Sequence, residues 1–527
     1  MEQSVQKHNP NLVLDVDESP KKVSQWFLFA LQHILAMLVA CITVPLLTGL
    51  PIAATLLSAG LGTLLYILIT KKKSPVFLSS SFAYISPMVS ALGVGLVYQA
   101  GGATAGDGRN YFALILGMLM VGLVYVAVAL VVKFVGTKWL NKLLPPIVVG
   151  PVIMVIGLSL SGSAINNLVS SQAYTYNLLS IFCGLAAMVI TACCSHYGKG
   201  KMISLIPFVI GMASGYVLAS IFTAISYAFP ADSAAYKYMH LVDWTPLTSL
   251  FTKENISFAS FINYKMFVPD DPESFMFLRV AEIKAFDWGK FGEIALLFIP
   301  VAFVTICEHI GDHENLGNII GRDLLNGEPG MTRTLTGDGI ATAVSGALCG
   351  AANTTYGENV AVVGTTRIAS TKVVMLAAIM SIGIAFLTPV SALLATIPGC
   401  ITGGVSLILY GFIAASGVQM LIKNQIDFTV SKNMYIASVI LVSGIGGLSL
   451  KFGNPEKAPV ITITSIAVAM LLGIFMNSIL KTPKNPEGTE AAEEAKLIEK
   501  EKRALGIIDD PKPAEAKPVE EKAAETK

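Results

Sequence analysis

Two carboxylates, Glu308 and Glu358, lie in stretches of sequence otherwise suited to lipid. Glu308 sits in IALLFIPVAFVTICEHIG, and Glu358 follows the polar run NTTY within a segment rich in Ala, Gly and Val. A charge at membrane depth costs roughly 2.5–3.5 kcal/mol even on the mildest scales, so such residues persist where they face a bundle interior and bind or move something. The pair marks a substrate pathway. No nucleophile–base arrangement or metal-like cluster accompanies it. The seven cysteines (41, 183, 193, 194, 307, 349 and 400) lie in or beside apolar runs without CxxC spacing. They read as small packing residues, with no disulfide, metal or cofactor required. A membrane enzyme or a non-transporting sensor is therefore the remote reading.

The elements that must position these acids are membrane helices. Of 527 residues, 54% are hydrophobic and 13% charged, against about 25% charged in soluble proteins. The net charge of +1 and the lack of a basic array give no reason to expect nucleic acid as a partner. The first 24 residues are polar and carry no cleavable signal pattern. Apolar runs near bilayer length predict fourteen spans. Seven centre near 25–48, 52–70, 82–98, 111–132, 144–162, 176–195 and 203–227, and seven near 290–310, 334–350, 357–368, 372–392, 401–421, 433–449 and 458–480. The third and tenth are short or polar at one end and read as broken spans. Lys71–Lys73, Lys133, Lys138, Lys142, Lys199, Lys201, Arg322, Arg333, Arg367, Lys372, Lys423, Lys432 and Lys481 fall on one side of this arrangement. That side, with both termini, is expected to be the cytoplasm. Lys451 and Lys457 break the rule locally. The longest opposite loop, 228–288, holds eight acidic and five basic residues and is expected to form a small cap. Residues 481–527 read as a disordered cytoplasmic tail, with a short helix at 489–505.

A repeat is visible in the polar residues. Gln32-His33 in the first span and Glu308-His309 in the eighth are 276 residues apart, as are Phe82 and Glu358. An odd number of spans per half makes the halves enter the membrane in opposite senses, the inverted-repeat plan of many secondary transporters. Extended backbone crosses part of a membrane only where protein or a cavity satisfies its polar groups. Ser79–Ser81, Pro87, Asn353–Tyr356 and Gly357 suit short extended segments, each followed by a half-helix. Two such segments meeting from opposite sides would bring an amide, a helix N-terminus and an acid into one small volume. The competing view is that Glu358 only caps a helix.

These residues resemble the nucleobase–ascorbate transporters, or nucleobase:cation symporters type 2, most closely the uracil permease branch. The likeness spans about 25–480 and rests on LQHILAM at 31–37, SSFAYISPM at 80–88, EHIG at 308–311 and NTTYGENVAVVGTTR at 353–367, with GGVSLILYG at 403–411 and ASGVQ at 415–419. The resemblance implies an all-α polytopic membrane protein of fourteen segments in two inverted seven-segment repeats. A cytoplasmic N-terminus (1–24) would precede core parts at 25–135 and 289–392 and gate parts at 140–227 and 400–480. It implies a homodimer in the cell membrane that carries uracil inward by alternating access, with protons as the coupling ion. Glu308 and Glu358 would bind the ring, backbone at Phe82 and Gly357 would complete the site, and Tyr356 would shape it. The alternative within transport is xanthine or urate symport, for which sodium coupling stays open. Glu358 favours the pyrimidine reading, since purine-selecting relatives tend to carry Gln there.

The pattern departs in two places. Members of this branch usually carry histidine four residues after the first acid, whereas this chain has Asp312 there and His313 one residue later. One residue turns a side chain by about 100°, so His313 cannot simply inherit that role. Asp312 would make ionising both carboxyls costly through like-charge repulsion, and it reads either as a partner of Glu308 in proton coupling or as a cap at the helix end. Ala361 replaces glycine in the EN-x-G signature. Gln32, His33, Asn359 and His313 read as supporting residues, Arg367 as a boundary charge, and Gly404, Ser406 and Gly411 as close helix packing.

Overall fold

The structure, a computed structural model, describes residues 9–93, 111–198, 207–252, 260–269, 271, 274–452 and 461–480. The tail from 481 and its predicted helix, and the basic residues 199, 201 and 457, lie outside the described residues. Fourteen helices carry the apolar runs: α1 Val23–Thr48, α2 Ile52–Ile69, α3 Ile85–Gly93, α4 Tyr111–Val135, α5 Pro146–Ser159, α6 Leu178–Tyr197, α7 Pro207–Ser226, α8 Phe291–Ile320, α9 Met331–Ala347, α10 Gly357–Thr366, α11 Thr371–Ala385, α12 Gly399–Lys423, α13 Ser431–Ile445 and α14 Ser465–Ile479. Eight of these, counting the runs Pro146–Val169 and Trp288–Ile320 as units, are long and apolar enough to cross a membrane. The others are shorter. The protein is an all-α polytopic membrane protein.

Local sequence sets the boundaries. Gly49 and Gly321 end α1 and α8 in the left-handed conformation, which glycine adopts without a Cβ penalty. Asn177 accepts the N–H groups of Leu179 and Ser180 at the start of α6, and Ser370 that of Val373 in α11. Helix α8 runs about three turns beyond the predicted end at 310, because its polar residues there face a cavity on one side and a buried network on the other.

Short strands precede the two half-helices. Strand β1 (Leu78–Ser80) leads through Phe82–Tyr84 into α3, and β2 (Asn353–Thr355) leads into α10. They pair antiparallel, with Leu78 opposite Thr355 and Ser79 opposite Thr354. An exchange of halves at the 276-residue offset carries the first of these pairs onto the second. Protein groups satisfy the extended backbone, as they must away from water. Leu78 N donates to Thr63 Oγ1 at 2.9 Å, Ser81 N donates to Ala352 O at 2.8 Å, and the Thr342 hydroxyl donates to Asn353 O.

The helix contacts recur in the same pattern. Helix α2 packs on α11 as α9 packs on α4, α1 on α11 as α8 on α4, and α1 on α10 as α8 on α3. A second group follows suit: α6 packs on α7 as α13 on α14, and α5 on α13 as α12 on α6. Close approach there depends on small residues. A Cβ on Gly404 would lie 2.1 Å from Gly184 O, so this glycine is the tight contact expected of it. Gly411 is not, since a Cβ there would meet nothing within 4 Å. Lys451 lies in a β3–β4 hairpin, Leu450–Phe452 with Ile461–Ile463, which takes the first part of the predicted 458–480 span and leaves α14 to start at Ser465.

The described parts of 228–288 fold into short helical turns that touch both groups. Tyr238 O accepts from Asn177 Nδ2 at 2.8 Å, and the Trp244 and Tyr216 rings meet edge-on. Phe386 O accepts from Asn263 N at 2.8 Å, while buried Arg279 pairs with Glu282 at 2.9 Å and lies over the Tyr111 ring.

Candidate functional site

Helix α8 places Glu308 and Asp312 four residues apart on one face. Helix α10 begins at Gly357, so Gly357 and Glu358 occupy its first turn. There the first N–H groups lack intrahelical acceptors and the helix dipole favours negative charge. These four residues line a single cavity of about 520 Å³, closed on the far side by Phe412, Ser416, Gln419 and Lys423 of α12. Glu308, Asp312 and Glu358 are half-buried, and Gly357 is exposed to the cavity. A Cβ on Gly357 would meet only Asp312 Oδ1, at 3.4 Å, so the Asp312 carboxyl lies against the start of α10. Ala361 also lines the wall. At the rim, Lys423 Nζ of α12 and Glu314 Oε1 of α8 lie 3.2 Å apart.

The structure separates the remaining candidates from this wall. Phe82 and Tyr356 are buried beside the cavity rather than lining it. The Phe82 ring meets Tyr410 of α12 edge-on, with centroids 5.5 Å apart. The Tyr356 hydroxyl is buried without a hydrogen-bond partner among the described residues. Gln32 is buried on α1, and its neighbour His33 bonds through Nδ1 to Asn359 Oδ1 at 3.0 Å. Asn359 is thereby tied to the opposite half of the chain.

His313 points away from the cavity. Its Nδ1–H donates to His309 O at 2.8 Å, which leaves Nε2 to accept the Tyr66 hydroxyl at 2.5 Å; that hydroxyl is in turn 2.9 Å from Ser74 Oγ. The His309 and His313 rings stack at 4.0 Å, and His309 Nδ1 lies 2.8 Å from Asp338 Oδ2. A sealed polar network thus lies behind the acids, with Asp338 and both histidines wholly buried. The idea that Asp312 caps a helix end is overturned, because α8 continues two turns beyond it to Gly321. Sequence reasoning overlooked Asp338, which lies inside the predicted 334–350 span but among Thr and Gly rather than in an apolar run like that around Glu308. It also overlooked Gln419, which lies inside the ASGVQ motif.

The family model described as "Permease family" (Xan_ur_permease) matches residues 24–453. The chain belongs to this permease family. It is 40% identical over 478 residues to the uracil permease of Bacillus caldolyticus, covering 91% of this chain and 96% of that one. It is 34% identical to the uracil permease of Bacillus subtilis (strain 168), over 90% and 96%. With the uracil permease of Escherichia coli (strain K12) it shares 33% identity over 89% and 94%. Among solved structures, the murine Slc26a9 anion transporter in its inward-facing state superposes with a TM-score of 0.60 at 11% identity, covering 88% of this chain and 69% of that one. The transmembrane domain of the cyanobacterial bicarbonate transporter BicA gives 0.52 at 13% identity, over 88% and 99%. At such identities these likenesses concern the fold alone. Membership of a permease family places the chain among membrane transporters rather than enzymes.

Proposed function

We propose that this chain carries uracil into the cell by proton-coupled symport. The observation that carries the reading is the convergence of Glu308, Asp312, Gly357 and Glu358 in one cavity, in a chain 40% identical to a uracil permease. A cavity of this size falls within the usual range for small ligands, about 300–1,000 Å³.

The pyrimidine ring offers alternating N–H donors and carbonyl acceptors. An ionised carboxylate accepts N–H groups but cannot donate, whereas a protonated carboxyl does both. Glu358 is assigned as the charged acceptor of ring N–H groups, with the amides of the α10 first turn facing a ring carbonyl. Glu308 is assigned as the acid that gains a proton with substrate, and Asp312 as the group that tunes it. Phe82 and Tyr356 bound the site from behind, while Gln32, His33 and Asn359 hold its frame.

The transport cycle in this proposal is alternating access. Helices α1–α4 and α8–α11 form a core (25–135 and 289–392), which moves against a gate of α5–α7 and α12–α14 (140–227 and 400–480). The recurring helix contacts support a fourteen-span inverted repeat with this division. Lys73, Arg322 and Lys372 are tied to Glu328, Asp15 and Ser19, consistent with one basic end, which in this proposal is cytoplasmic. The cavity opens toward Lys423 on that side, and the working unit is a homodimer in the cell membrane.

The test is uptake of labelled uracil into sealed vesicles under an imposed pH gradient, with xanthine, urate, thymine and cytosine as competitors. Accumulation driven by inward protons is expected. Strong competition by xanthine without accumulation of uracil would refute the pyrimidine assignment.

A further inference from the structure

Helices α8 and α10 supply every acid in the cavity, and they end close together on the side where it opens. The chain segment from Asn9 to Ser19 runs across both ends. At α10 it joins the backbone after the helix: Leu14 forms a parallel bridge with Ile368, Val13 N donates to Arg367 O at 2.8 Å, and Ala369 N donates to Leu14 O at 2.8 Å. At α8 it holds the last carbonyl and the side chain two residues beyond. Asn9 Nδ2 donates to Ile320 O at 2.9 Å, and Arg322 Nη2 donates to Asp15 Oδ1 at 2.8 Å. Asp15 is 6% exposed and also accepts the backbone N–H groups of Asn9 and Val16. Val16 is fully buried. This is a built contact, not a terminus lying on the surface.

We propose that this segment is a clasp that sets the distance between Glu308 and Glu358, with Arg322 and Asp15 as positioning residues for substrate binding. The inference rests on the reading of those two acids as the uracil-binding pair. Its logic is that of two rods held at one end. Glu358 stands nine residues before Arg367, roughly 13 Å along the helix, so a tilt of about 10° at the clasped end moves the carboxylate by about 2 Å. A binding constellation must be held within about 0.5 Å to work. The two ends also touch directly, where Ile319 lies 3.1 Å from the place of a Cβ on Gly364, and the segment is a third element that joins the backbone just past each.

The experiment compares full-length protein with R322Q, D15N and R322K, and with K73Q as a control that alters a separate exposed pair with Glu328. Labelled-uracil Kd and hydrogen exchange over 315–322 and 361–371 are measured on each. R322Q is expected to raise Kd about five- to tenfold, a displaced-group penalty near 1 kcal/mol. It should also speed exchange at 361–371, although the substitution lies beyond α8. R322K should recover part of both effects, D15N should reproduce them if R322Q folds poorly, and K73Q should change neither. A segment that only stabilises the fold would lower the melting temperature and leave Kd unchanged, and that result overturns the proposal. Unchanged exchange at 361–371 in both R322Q and D15N overturns it as well. Failure of the unaltered protein to bind uracil sinks the uracil reading instead; the clasp is then judged on exchange alone, with faster exchange at 361–371 supporting it.

Discussion

The stretches around Gln32 and Glu308 share a backbone and divide the chemistry unequally. QHILAM at 32–37 and EHIGDH at 308–313 stand 276 residues apart, each on a long helix that packs beside a strand and a half-helix. The second copy has an acid where the first has Gln32, and Asp312 where the first has Ala36. The histidine common to both stretches is also used differently. His309 bonds Asp338 in its own half, while His33 reaches across to Asn359 beside Glu358. The strand ribbon and half-helices answer a demand of the membrane, that extended backbone be satisfied, and both copies must meet it. Substrate chemistry has no such two-fold demand, because one small ring needs one set of partners. The first copy is therefore free to act as frame.

The largest expected effect breaks this division at its charged end. Glu358→Gln keeps the size of the side chain but removes a charged acceptor worth roughly 1.5–3 kcal/mol, so uracil Kd should rise by about ten- to a hundredfold. The matching change in the frame, Phe82→Leu, should cost several times less, since Phe82 lies behind the wall rather than in it. Isothermal titration on folded, monodisperse protein compares the two. Equal losses would mean that the halves share the substrate after all.

Glu308→Gln comes next and separates binding from coupling. The amide mimics a permanently neutral acid, so uracil exchange at equal pH should persist at a reduced rate while a pH gradient no longer drives accumulation. Full gradient-driven accumulation by E308Q would move the coupling role to another residue.

His33→Ala and Asn359→Ala test the bond across the halves. Either change leaves a buried polar group without its partner, at a cost of about 1–3 kcal/mol. The double variant should cost less than the sum of the two, because the orphaned partner is gone as well. Thermal melts in detergent read this directly. Additive losses would show that the bond does not couple the halves.

How far the sequence revealed this molecule follows from the same contrast. Apolar runs made the helices legible, and Ser79–Ser81 and Asn353–Thr355 betrayed the broken spans, because polar residues in lipid need a structural reason. The acids were legible on the same ground. The end of α8 was not, since EHIGDHEN reads as a polar exit and only the fold shows that Asp312 faces a cavity while His309 and His313 face Asp338 and Tyr66. The packing of Gly404 and the open space at Gly411 carry the same letter in the sequence, and only their neighbours distinguish them. The clasp was illegible for a further reason: a polar N-terminal stretch gives no periodic signal, and its partners at 320–322 and 367–371 lie more than 300 residues away.

The smallest expected effect concerns Asp312, the second residue that distinguishes the two copies. It lines the cavity one turn from Glu308, with its carboxyl against the first residue of α10. A second acid there raises the cost of ionising its neighbour, so it adjusts the proton affinity of the pair without being the main ligand. Asp312→Asn preserves shape and hydrogen-bonding capacity while removing the charge. Uracil uptake at saturating gradient should fall only about two- to threefold, since the lost interaction is one between partly solvated charges, and the pH optimum for uptake should shift. Asp312→Ala makes the position match Ala36 of the first copy and should shift the optimum in the same direction with a somewhat larger loss. Uptake measured across external pH in vesicles clamped at one internal pH reads both variants. An unchanged optimum in each would reduce Asp312 to a wall residue and leave Glu308 to carry the coupling without it.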